Sequence, residues 1–88
     1  MAKTESINLS NDWAVVADNS TSVAIQLFDY GRVEIYVGDT APSADAAGIV
    51  IGVGTSGPHT FSAGDLPATA VVYARAVDNS ARIVAMSY

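Results

Sequence analysis

The side chains able to do chemistry in this 88-residue sequence are a single histidine, nine carboxylates, and an aromatic set of one Trp, four Tyr and two Phe. His59 stands in Gly-Pro-His-Thr, a turn leading into a strand, and is the one possible general base for a serine nucleophile. No Gly-x-Ser-x-Gly elbow and no cysteine accompany it, so it reads as a solvated turn residue and not as half of a catalytic pair. Paired carboxylates could hydrolyse a glycosidic bond. The nearest pairs, Asp39 with Asp45 and Asp12 with Asp18, lie in turn sequence, where acids ordinarily cap backbone amides. Asp39, Thr40, Ser43 and Asp45 carry oxygens that would suit calcium. They lack the Asp-x-Asp-x-Asp-Gly spacing and a closing glutamate. Gly48, Gly52, Gly54 and Gly57 cluster without the Lys and the following helix of a phosphate cradle. The absence of cysteine excludes disulfides, iron–sulfur sites and zinc knuckles. No metal and no cofactor is expected.

What remains is a set of residues suited to contact. Arg32, Glu34 and Tyr36 share one strand face, opposite Val33, Ile35 and Val37, and Tyr30 stands just before them. Arg75 interrupts the apolar run Tyr73-Ala-Arg-Ala-Val77, where a charge must be paired or reach an edge. Tyr and Arg are enriched at interface centres. Tyr30, Arg32, Glu34, Tyr36 and Arg75 are therefore the interaction-surface candidates. The competing readings are a solvent face for the tyrosines and a structural salt bridge for Arg75.

The elements that must position these residues are β-strands. Short runs of Val, Ile, Tyr and Thr alternate with Gly, Pro, Asn, Asp and Ser, and no segment keeps a 3.6-residue apolar repeat. Strands are predicted over 5–9, 13–17, 21–28, 32–38, 48–53, 59–62, 70–77 and 81–88, with residues 1–4 a loose arm. Trp13 and Phe61 are assigned to the core. The short turn through Gly31 predicts a hairpin of 21–28 with 32–38, and the turn at 78–80 a second hairpin of the last two strands. Residues 39–47 form a surface loop around Pro42. The run 70–77, apolar on both faces, belongs in the middle of a sheet or under a partner chain. Seven or eight strands at about ten-residue spacing indicate one domain over 1–88, an antiparallel β-sandwich of immunoglobulin-like or jelly-roll-like type.

Composition narrows the class of function. Charged residues make up 15%, the net charge is −5, and there are four Lys and Arg in all. Four cations cannot build a phosphate-binding surface, so no nucleic-acid partner is expected. No apolar run reaches the roughly 20 residues of a spanning helix, and no h-region follows the N-terminus, so a soluble chain made in a cytoplasm is expected, with no membrane partner. A 9.1 kDa chain buries roughly 60% of its extended surface, a thin core. Apolar strand faces in surplus of that core predict association with copies of itself, a homo-oligomer with a trimer preferred.

Several segments together resemble a known group. They are Trp13-Ala-Val-Val, Val33-Glu-Ile-Tyr-Val-Gly-Asp-Thr-Ala-Pro42, Asp45-Ala-Ala-Gly48 and Val72-Tyr-Ala-Arg-Ala76. Over residues 5–88 the chain resembles small tailed-bacteriophage virion proteins of the head-decoration or head-fibre type. The resemblance implies a β-rich, non-enzymatic, multicopy structural role on the outer surface of the capsid, made in the host cytoplasm. It implies the major capsid protein or another virion protein as partner. It transfers no catalytic residue. Such proteins are often joined to longer partners or a distal domain, which this sequence does not show, and a compact decoration or cement unit is expected. The alternative is a carbohydrate- or receptor-binding module that stacks sugars on Tyr30, Tyr36 or Trp13. A small hydrolase is a third, weaker alternative.

Overall fold

The structure is a computed structural model that describes residues 3–18, 21–27, 31–52, 60–67, 69–78 and 80–88. Among these residues are eight antiparallel strands: β1 (Lys3–Leu9), β2 (Ala14–Asp18), β3 (Val23–Leu27), β4 (Arg32–Gly38), β5 (Ile49–Gly52), β6 (Thr60–Ala63), β7 (Val71–Ala76) and β8 (Ala81–Ser87). They form two four-stranded sheets, ordered β1-β8-β3-β6 and β2-β7-β4-β5.

The pairs β1·β8, β2·β7, β3·β6 and β4·β5 nest inside one another. The chain is in effect one long antiparallel ribbon, folded back between β4 and β5 and then rolled. That is the jelly-roll order, which decides between the two sandwich types expected from the sequence. Rolling the ribbon sends most successive strands to opposite sheets; β4 and β5 are the consecutive strands that pair.

Both predicted hairpins are therefore wrong. β3 pairs with β8 and β6, whereas β4 pairs with β7 and β5. β7 and β8 likewise lie in different sheets. In each case the chain passes from one sheet to the other instead of closing a ladder. The loose arm also needs correction: Lys3 and Thr4 are in β1, opposite Ser87 and Met86.

The core is the set of inward rows. Val23, Ile25 and Leu27 of β3, Val33 and Ile35 of β4, and Ile83 and Ala85 of β8 are buried by strict alternation. Ile51, Val72, Ala74 and Ala76 complete it, and Phe61 packs against it. Run 70–77 supplies β7, an interior strand of its sheet as expected. A register shift between Val15 and Ala17 breaks the alternation in β2. As a result Val16 and Ala17 are both buried, while Val15 turns outward.

Candidate functional site

β4 and β7 lie side by side, and their register sets Glu34 against Arg75 and Tyr36 against Tyr73 on the outer face of the sheet. This is the cross-strand proximity in which side chains interact directly. Arg75 Nε donates to Glu34 Oε1 at 2.8 Å, and Nη2 of the same guanidinium is also 2.8 Å from that oxygen. The side chains retain 19% and 13% exposure, so the pair is mostly withdrawn from water.

The loop of residues 39–48 folds back over this pair. Arg75 Nη1 donates to the Ala44 carbonyl at 2.7 Å, and Nη2 donates to the Ala46 carbonyl at 3.0 Å. The Gly48 amide donates to Glu34 Oε2 at 2.7 Å. The planar fork of an arginine suits this task, because it can serve a carboxylate and two carbonyls at once. A Cβ on Gly48 would run into the Ile35 carbonyl, so the close approach of loop to strand needs glycine there.

Trp13 closes the cluster from the other side. Its indole Nε1 donates to the Ser43 carbonyl at 3.0 Å. The Arg75 guanidinium carbon sits 4.3 Å from the centre of the ring, within cation–π range. Tyr36 tilts against Trp13 with centroids 5.9 Å apart, and Tyr73 against Tyr36 at 6.4 Å.

The electrostatics follow from these contacts. The Gly48 amide, and after it Arg75, hold the Glu34 carboxyl below its ordinary value, against the opposing effect of burial. Arg32 lies apart from the cluster. It forms an exposed ion pair with Asp78, Nη2 to Oδ1 at 3.0 Å, that lowers the Asp78 pKa and raises its own.

Of the candidates taken from the sequence, Glu34, Tyr36 and Arg75 thus come together and Arg32 stands on the same strand with a different partner. Tyr30 and His59 lie outside the described residues. The cluster is a clamp on the chain's own loop, and the structural reading of Arg75 as a salt-bridged residue holds. Trp13 is not core: it is half-buried on the outer face, with Arg75 against its ring. Its role, and those of Gly48 and the loop carbonyls, escaped the sequence, since a backbone carbonyl leaves no residue-type signal. Among the described residues no group of three or more His, Cys, Asp or Glu side chains converges to hold a metal ion. The oxygen-bearing loop 39–45 instead turns carbonyls of Ser43 and Ala44 toward Trp13 and Arg75.

Comparison of the chain with protein-family models, with curated proteins and with solved structures finds no match.

Proposed function

We propose that this chain is a non-catalytic building block of a tailed-phage virion, a head-decoration or cement protein that acts in several copies on the outer surface of the shell. The observation that carries this reading is an apolar ledge. Val37 and Ile49 continue the inward rows of β4 and β5, whose other members Val33, Ile35 and Ile51 are buried. Yet Val37 is 39% and Ile49 57% exposed, so the core layer runs past the end of the sandwich. Val50, on the other side of β5, is exposed as well.

Full burial of an Ile or Val side chain is worth about 1.5–3 kcal/mol, so such a ledge is suited to burial against another protein. The partner in this reading is the major capsid protein or another virion protein. Docking across shell subunits stabilises the assembled state by mass action, which is how a cement raises resistance to heat. The polar cluster supports the same reading, because its charged groups bind one another and the loop. The jelly-roll order adds a fold-level analogy, since virus capsid domains share it, as do lectins. The carbohydrate-binding alternative loses ground at the rings: Arg75 covers Trp13, and Tyr36 is wedged between Trp13 and Tyr73.

Electron cryomicroscopy of intact particles tests the proposal. Density for the jelly roll outside the shell, with the β4–β5 end against it, is the expected result. Particles that lack this protein altogether would overturn it.

A further inference from the structure

Charge is not spread evenly over the sandwich. The connections β2–β3, β4–β5 and β6–β7 gather with the start of β1 at one end, the end that carries Val37 and Ile49. The ladders fix this placement. Asp18 and Gly38 both stand opposite Val71, one step from the pair of Val37 with Val72. Ala63, the last residue of β6, stands opposite Val23, the first of β3. Just beyond it the Leu66 amide donates to the Thr21 carbonyl at 3.0 Å, which ties the β6–β7 connection to the β2–β3 connection.

Asp18 ends β2, Asp39 and Asp45 belong to the loop that leads into Ile49, and Asp65 follows β6; all four are exposed. Lys3 is the one cation at this end, and it is already paired with Glu5 at 3.1 Å. Five carboxylates against one ammonium leave four negative charges here, out of a net −5 for the whole chain. The other three cations lie elsewhere. Arg75 is held by Glu34 on the outer face, Arg32 is bonded to Asp78, and Arg82 is near the start of β8, at the opposite end.

This asymmetry bears on what can cover the ledge. A second copy meeting it end to end would set like charges against one another, and nucleic acid or an anionic membrane would be repelled likewise. A metal ion does not suit it, since among the described residues no three His, Cys, Asp or Glu side chains converge. Asp39 continues β4 of one sheet and Asp65 follows β6 of the other, so acids flank the apolar side chains from both sides. That is the layout of a protein interface, a dry centre with a polar rim. Its complement is an apolar patch edged by Lys and Arg.

We infer that the surface this end meets is a basic protein surface, which sets Lys and Arg side chains against Asp39 and Asp65 on either side of the Val37 and Ile49 ledge. This rests on the shell-docking reading above and names the chemistry of its partner. Rim charges of opposite sign speed encounter and fix orientation, and salt screens them.

Sedimentation with particles of the phage to which the proposal assigns the chain, stripped of their own copy, tests this over a salt series. Wild-type binding should weaken at least about tenfold between about 0.05 and about 0.5 M salt. Asp39→Asn combined with Asp65→Asn removes two charges and keeps shape, and Asn tolerates the positive φ of 55° at position 65. Both side chains are exposed, so this double variant should melt with the wild type. It should bind about tenfold more weakly at low salt and lose most of the salt dependence. Asp12→Asn, at the opposite end, should bind like the wild type, which separates a local contact from an effect of net charge. Wild-type binding that ignores salt, or a double variant that binds like the wild type, overturns the basic partner and leaves docking through the apolar ledge standing. Wild-type protein that binds at no salt concentration overturns the virion reading and this inference with it.

Discussion

The amide of Gly48 donates to one oxygen of Glu34 at 2.7 Å, while the other oxygen of that carboxylate receives Arg75. One side chain thus ties the ribbon's folded end, the loop between β4 and β5, to the neighbouring strand β7. Because Gly48 and Arg75 favour the charged form, the Glu34 carboxyl titrates lower in the folded chain than in the unfolded one. Between those two values the unfolded state binds more protons, so stability rises with pH across that window. The contribution is fully present above the ordinary glutamate value of about 4.3 and disappears as pH falls through the depressed folded value. Glu34→Gln should lower stability at neutral pH by about 1–3 kcal/mol and flatten the acid limb. Denaturant titrations from neutral pH downward check both. An acid limb as steep as that of the wild type would contradict it.

Trp13 is the one tryptophan, and it stacks with Arg75 while bonding the Ser43 carbonyl. Its fluorescence therefore reports the clamp. Arg75→Lys keeps a positive charge but loses the fork that holds Glu34 and the carbonyls of Ala44 and Ala46 together. The expected result is a red-shifted, more quenchable emission under native conditions, with the far-ultraviolet spectrum of the sandwich retained. Emission unchanged from wild type would mean that the loop stays closed without the guanidinium.

Gly48→Ala places a methyl group against the Ile35 carbonyl, and backbone cannot yield as a side chain can. The substitution should destabilise by about 1–3 kcal/mol and reproduce the weakened acid limb of Glu34→Gln, since the loop amide is pushed off the carboxylate. Gly64→Ala is the control, because its methyl would meet only Ser22 Oγ at 3.9 Å. Equal melting temperatures for the two variants would rule out the close approach.

How much of this was legible in the sequence follows from what alternation can encode. Val23, Ile25 and Leu27 alternate with Ala24 and Gln26, and that pattern named both a strand and its buried face. β4 was legible to the residue, 32–38. Alternation says which way a side chain points but not which strand lies beside it, and a short turn serves a hairpin and a sandwich corner equally well. The predicted pairing of 21–28 with 32–38 failed for that reason, since both strands bury one face in the same core from opposite sheets. In the site, Arg75 announced its need for a partner by interrupting an apolar run. Naming Glu34 required the β4–β7 register, which joins residues 41 positions apart. Trp13 was misassigned because its size suggested core, whereas the bulge after Val15 sets Val16 and Ala17 inward and leaves the outer face to Trp13.

The proposal that matters most is that this chain is pressed against a virion shell through the ledge at Val37 and Ile49. Co-sedimentation of purified protein with particles of the tailed phage to which the proposal assigns it, stripped of their own copy, tests this most directly. The account predicts saturable binding by the wild type, a rise in the temperature at which the particles rupture, and loss of both with Ile49→Asp, which should unfold like the wild type. Wild-type protein left entirely in the supernatant at saturating concentration, or Ile49→Asp binding as tightly as the wild type, would contradict it.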